Sequence, residues 1–79
     1  MKRKRTAPAS YAEAIDRFPS AERLAAAIRV PGATCRSWRS RDAILPGYFS
    51  LIDAAAKQLG VAVTAQDLWT LFQKLDEYQ

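Results

Sequence analysis

Four helix-breaking sites set the grain of this chain: Phe18-Pro19, Val30-Pro31-Gly32, Leu45-Pro46 and Gly60. A residue before proline is pushed out of the helical region, and proline or glycine within a helix costs a backbone donor or conformational entropy. Between the breaks, apolar residues recur three and four apart: Leu24, Ala25 and Ile28, then Cys35 and Trp38, then Phe49, Ile52, Ala55, Ala56 and Leu59, then Leu68, Leu71, Phe72 and Leu75. That spacing is helical, so the chain is expected to be all-α, with five short helices. Start signals agree. Ser10-Tyr11-Ala12-Glu13 is a capping box, Ser20 precedes Glu22 at a second start, Pro46 suits the first position of a fourth helix, and Thr64-Ala65-Gln66-Asp67 opens a fifth. The first helix should stop near Arg17 and the second at about Arg29, with a third over Ala33 to Ser40 and a fourth ending at Gly60. Val61-Ala62-Val63 reads as an extended link.

Residues 1–9 are basic, then Pro- and Ala-containing, and show no periodicity, so they are read as a flexible arm before a single domain over residues 10–79. A domain of 79 residues buries roughly 60% of its unfolded surface, which leaves its stability marginal and makes a second subunit useful. No apolar run approaches the roughly 20 residues of a membrane span, and no apolar signal core follows the charged start. The expectation is a protein of the bacterial cytoplasm or nucleoid, with no membrane partner.

One cysteine and no histidine argue against an internal disulfide, a metal site and an imidazole-assisted nucleophile. The carboxylates Glu13, Asp16, Glu22, Asp53 and Asp67 fall near helix starts or at isolated helical positions, where capping and solvation account for them. No catalytic residue, cofactor or metal is expected, and the chain is not read as an enzyme.

The net charge of +4 is uneven. Residues 1–45 hold ten Lys/Arg against four acids, and residues 46–79 hold two against four, a basic half of +6 joined to an acidic half of −2. The first half then suits a polyanion. Inside it, residues 24–39 are the informative segment. Two helices flank a very short turn, Ala25 is small enough for a close helix crossing, Val30 closes the turn, and Cys35 and Trp38 pin the second helix to the first. This is the layout of a helix-turn-helix, whose second helix enters the major groove.

The segments Leu24-Ala25-Ala26-Ala27-Ile28-Arg29-Val30-Pro31, Thr34-Cys35-Arg36-Ser37-Trp38, Ile44-Leu45-Pro46, Leu51 to Lys57 and Thr64-Ala65-Gln66-Asp67-Leu68 follow one another in the order of a known family. Over roughly residues 12–70 the chain resembles phage- and prophage-type Cro/repressor-like helix-turn-helix proteins, especially the small carph-isopro domain and the YdaS-like antitoxins. It departs from them at Arg29, where the family has its turn glycine; a positive φ there would cost about 1 kcal/mol. The linker before Pro46 is one residue longer and lacks the usual glycine.

The expected partner is therefore double-stranded DNA. Gly32, Ala33, Thr34, Arg36, Ser37 and Arg39 face it from the recognition helix, Arg41 from the linker that follows it, Ser20 from the start of the preceding helix, and Lys2, Arg3, Lys4 and Arg5 from the arm along the minor groove or backbone. Arg36 is the candidate base reader, and Arg39 and Arg41 are candidate phosphate contacts. Arg17 and Arg23 stay open between solvent and phosphate. On the last helix, Leu68, Trp69, Leu71, Phe72 and Leu75 offer more apolar surface than a small domain covers, so a homodimer or a protein partner is expected there. The reading is a sequence-specific transcription regulator; the alternative is an adaptor, a polymerase-associated factor or antitoxin, with auxiliary DNA binding.

Overall fold

Ser10 starts the first helix by accepting a hydrogen bond from the Glu13 amide on its Oγ at 3.1 Å, while the Glu13 carboxylate accepts one from the Ala9 amide at 3.1 Å. The computed structural model describes residues 7–77, with side chains to residue 74. The arm residues Lys2 to Arg5 lie outside the described residues. Helix α1 (Tyr11–Asp16) is followed by α2 (Ala21–Ile28), α3 (Gly32–Arg41), a 3-10 turn at Pro46–Tyr48, α4 (Phe49–Leu59) and α5 (Ala65–Glu77). Among the described residues there are five α-helices and no strand.

The caps follow the sequence closely. Ser20 Oγ accepts from the Arg23 amide at 3.0 Å, and Thr64 and Asp67 cap each other reciprocally at 3.2 and 3.0 Å. Asp53 reaches from α4 to accept the Ala65 amide at 2.7 Å, so the start of α5 is fixed by two carboxylates. Two expectations about the elements themselves need correction. The fourth helix begins as a 3-10 turn at Pro46 and becomes α-helical only at Phe49. Val61 to Val63 is a tight turn closed by the Val63 amide on the Val61 carbonyl at 3.0 Å, with Val63 buried as an anchor.

Helices α2, α3 and α4 end in the same way, with one left-handed residue and a hydrogen bond reaching back across the last turn. In α2 the Val30 amide bonds the Ala25 carbonyl at 3.0 Å, in α3 Ala43 bonds Trp38 at 3.0 Å, and in α4 Val61 bonds Ala56 at 2.8 Å. The left-handed residues are Arg29 (φ 63), Asp42 (φ 54) and Gly60 (φ 70). Asp42 compensates by accepting the Ala12 amide on Oδ1 at 2.9 Å, which ties the end of α3 to the start of α1.

The core lies where α2 crosses α3, with α1 and α4 packed on that pair and α5 packed on α4 and the 3-10 turn. Leu24, Cys35, Ala56 and Leu68 are fully shielded, with Ile15, Ala25, Phe49 and Ile52 almost so. Leu71 is also buried. Leu68 and Leu71 therefore belong to the domain's own core, which corrects their reading as partner surface: the inward stripe of α5 is used up by α4 and the 3-10 turn.

Arg29 is the strained member of the three helix ends. Replacing Arg29 with Gly should stabilise the domain by about 1 kcal/mol, which for a domain of this size raises the melting temperature by about 4–8 °C. Thermal denaturation followed by circular dichroism measures it, and an unchanged or lower melting temperature would show that the Arg29 side chain makes contacts that offset the strain.

Candidate nucleic-acid interface

Helix α3 reads Gly32-Ala33-Thr34-Cys35-Arg36-Ser37-Trp38-Arg39-Ser40-Arg41 and contains no acid. Cys35 and Trp38 turn inward, and Trp38 packs at a tilt of 56° against Tyr48 of the 3-10 turn, with ring centroids 5.0 Å apart. Period 3.6 then puts Ala33, Arg36 and Ser40 in solvent with Ser37 partly exposed, and sets arginines along both flanks. The crest is made of small residues.

The two flanks differ. On the side facing α1 and α2, the Arg36 Nη1 donates to Glu22 Oε2 in the first turn of α2. Arg39 donates to Asp16 at the end of α1 through Nε at 2.5 Å and Nη2 at 3.2 Å, a fork-to-fork pair. The Arg36–Glu22 pair lies across the N-terminus of α3: a methyl group on Gly32 would come within 3.2 Å of Arg36 Nη1 and 3.3 Å of Glu22 Cγ. Gly32 thus gives both side chains room that a Cβ would narrow by a few tenths of an ångström. On the opposite flank, Thr34, Ser37, Trp38, Arg41, Ala43, Ile44 and Leu45 line an open groove of about 320 Å³. Two hydroxyls and the Arg41 guanidinium stand beside the exposed side chain of Leu45, a combination suited to a sugar-phosphate backbone. Arg41, Arg23 and Arg29 form no ion pair among the described residues.

Charge on these carboxylates follows from their partners. The hydrogen bond from Arg39 holds the Asp16 carboxyl below the usual range, and Asp16 in turn raises Arg39. The hydrogen bond from Arg36 lowers Glu22. Asp53 is lowered chiefly by the Ala65 amide and further by Lys57, whose Nζ lies 3.4 Å away. Burial pushes the Cys35 thiol up, with the Glu22 charge adding to it, so this cysteine is a core group and a poor nucleophile. Among the described residues no three His, Cys, Asp or Glu side chains come together, and no helix is long and apolar enough to cross a membrane.

The structure brings Gly32, Ala33, Thr34, Arg36, Ser37, Arg39 and Arg41 onto one helix, with Ser20 capping the helix that carries Glu22. Arg17 is placed in the fold: it donates to Glu13 at 3.0 Å and to the Ala62 carbonyl at 3.0 Å. What the sequence reading missed are Asp16 and Glu22 as partners of Arg39 and Arg36. The partners are 23 and 14 residues apart and on different helices, beyond any helical periodicity. At the other end of the molecule, Trp69 and Phe72 are 42% and 40% exposed. They form an aromatic cluster over buried Phe49, with ring centroids 4.8 Å apart for Phe49–Trp69 and 5.6 Å for Trp69–Phe72. The Leu75 side chain lies outside the described residues. No known protein family, curated protein or solved structure matches the chain.

The lowered carboxylates set a pH dependence. A carboxyl whose folded pKa is depressed contributes stability above its unfolded value of about 4, and that contribution is lost as the pH falls through the folded value. The melting temperature should therefore hold from neutral pH down to about 5 and then drop chiefly as Asp53 protonates, the exposed Asp16 and Glu22 adding little. Asp53→Asn should melt lower than wild type at neutral pH and lose less on acidification. Equal acid losses in the two proteins would remove Asp53 from this account.

Proposed function

We propose that this chain is a sequence-specific, double-stranded-DNA-binding transcription regulator of the Cro/repressor-like helix-turn-helix kind, with α3 as its recognition helix. The observation that carries the reading is the outer face of α3: a solvent-facing, acid-free helix with a small crest and arginine flanks, held on α2 by a three-residue turn. An α-helix of this girth fits the major groove, and a crest of Ala33, Ser37 and Ser40 lets its backbone come close to the base edges. Arg36 keeps Nε and Nη2 without a hydrogen bond among the described residues, a two-donor edge that matches guanine O6 and N7. Arg39 spends those same two atoms on Asp16, so its part is to brace α3 against α1. Arg41, with Thr34 and Ser37, suits the phosphates on the far flank. The arm residues Lys2 to Arg5 add electrostatic attraction in this proposal.

Selection of bound duplexes from genomic fragments tests the reading directly. A shared sequence should be enriched, and affinity for it should fall steeply with salt, each phosphate contact adding a log–log slope of about −0.9. Arg36→Ala should relax the preference at one base position per half-site, while Arg39→Ala should leave the base preference unchanged. Recovered fragments that share nothing beyond the input pool would overturn sequence-specific binding.

The exposed Trp69–Phe72 pair supports a second part of the proposal, a subunit contact through α5 that places two recognition helices on a two-fold site. The protein should sediment as a dimer, and Phe72→Glu should give a folded monomer with weakened DNA binding. A wild-type monomer at about 10–50 µM, a concentration that populates even a weak dimer, would assign the aromatic pair to a different protein and favour the adaptor reading.

A further inference from the structure

The Glu22–Arg36 pair is poorly explained by stability. Both side chains are more than half exposed, at 58% and 57%, and ion pairs in such positions add little to folding. It also lies where the recognition helix first meets DNA, so it sets a negative charge in the path of a polyanion. We propose that Glu22 is a positioning residue for DNA readout: by holding one terminal nitrogen of Arg36 it aims the remaining guanidinium edge at the bases and keeps that arginine from unmatched phosphates. This inference rests on the DNA-binding reading above.

Three features of the geometry support it. First, Glu22 engages only Nη1 of Arg36, whereas Asp16 engages both Nε and Nη2 of Arg39. The first pair leaves a two-donor edge for a ligand and the second does not. Second, Gly32 gives the pair its place across the start of α3, where any larger residue would press on both partners. Third, α3 supplies no acid of its own, so the carboxylate beside its reading arginine comes from the rigid first turn of α2, and its position is fixed by the same turn that fixes α3. An arginine free to swing can bond a phosphate at every register, and such bonds carry no sequence information. An arginine anchored at one nitrogen bonds guanine without leaving Glu22, while at a mismatched base it stays on Glu22 and the carboxylate repels the backbone. Discrimination then has an attractive and a repulsive part.

The test uses the full chain. A duplex selected by the wild type from a randomised pool is compared with a scrambled duplex of the same composition, and the ratio of the two affinities is the discrimination. Glu22→Gln should bind the scrambled duplex about fivefold tighter with a steeper salt slope, as one more phosphate contact would give, and its discrimination should fall about tenfold. Glu22→Asp keeps the charge and shortens the reach, so it should lose discrimination while its affinity for the scrambled duplex stays near wild type. In an Arg36→Ala background, Glu22→Gln should leave the ratio unchanged. Each substitution is at an exposed position, and melting curves verify that the variants fold. Wild-type discrimination in both Glu22 variants, with the wild type selecting a sequence, would overturn the positioning role alone. A wild type that selects nothing would overturn the DNA-binding reading and this inference with it.

Discussion

Arg29 holds φ 63 and ψ 46 in a link of only three residues, and the direction in which α3 leaves α2 follows from that one conformation. The reversed backbone lets the Arg29 and Val30 amides turn back onto the Ala26 and Ala25 carbonyls at 3.3 and 3.0 Å, which closes α2 before Pro31 redirects the chain. Pro31, extended at φ −61 and ψ 144, then starts α3 without a side-chain cap. The fixed crossing puts Leu24, Ala25 and Ile28 against Cys35 and Trp38, all of them buried, with α1 and α4 packed on that pair and α5 on α4. The outer face of α3 is what is left once this packing is complete. A strained arginine at the turn is thus the local cost of a crossing that the rest of the molecule uses.

Most of this was readable from the residues because most of the signals are local. Ser10 with Glu13, Ser20 and Thr64 with Asp67 are capping partners within one turn of each other, so the sequence alone locates the starts of α1, α2 and α5. Arg29 at a glycine's place marked the turn. The failures are equally physical. Pro46 names a helix start without saying whether the first turn is 3-10 or α, and Val61-Ala62-Val63 has strand-like composition in a segment too short to find a pairing partner. Leu68 and Leu71 could not be told from Trp69 and Phe72 by periodicity, because a stripe of that width covers both the buried seam and its border; which part is buried depends on how close α4 and the 3-10 turn come. The candidate site was legible as a set of arginines on one helix. The partners of those arginines were not, since Asp16 and Glu22 meet them only through tertiary crossings.

Long polar side chains do structural work here that a larger core would do elsewhere. Arg39 ties α3 to α1, Asp42 ties the end of α3 to the start of α1, Arg17 ties α1 to the loop before α5, and Asp53 ties α4 to α5. Each link joins two different elements, and two of them, Asp42 on Ala12 and Asp53 on Ala65, cap a helix start whose backbone donor would otherwise face water alone. A small domain exposes a large share of its chain, so such ties are made at the surface, where each one is individually weak and screened.

That placement has a consequence for how charge is displayed. Arg17, Arg36, Arg39 and Lys57 each face a carboxylate, and their charges are locally balanced. The positive potential of the described residues is then set by Arg23, Arg29, Arg41 and Lys74, which form no ion pair among them and lie on α2, the turn, α3 and α5. Net charge and pairing thus point to different residues: a count of arginines along α3 overstates the potential at its crest, because two of three are balanced from neighbouring helices. Under the proposed DNA binding, long-range attraction would fall to the unpaired groups, and the paired ones would act only at contact distance, where a ligand edge must compete with a carboxylate already in place. On that proposal encounter and discrimination would be carried by separate side chains, and a change in one need not alter the other.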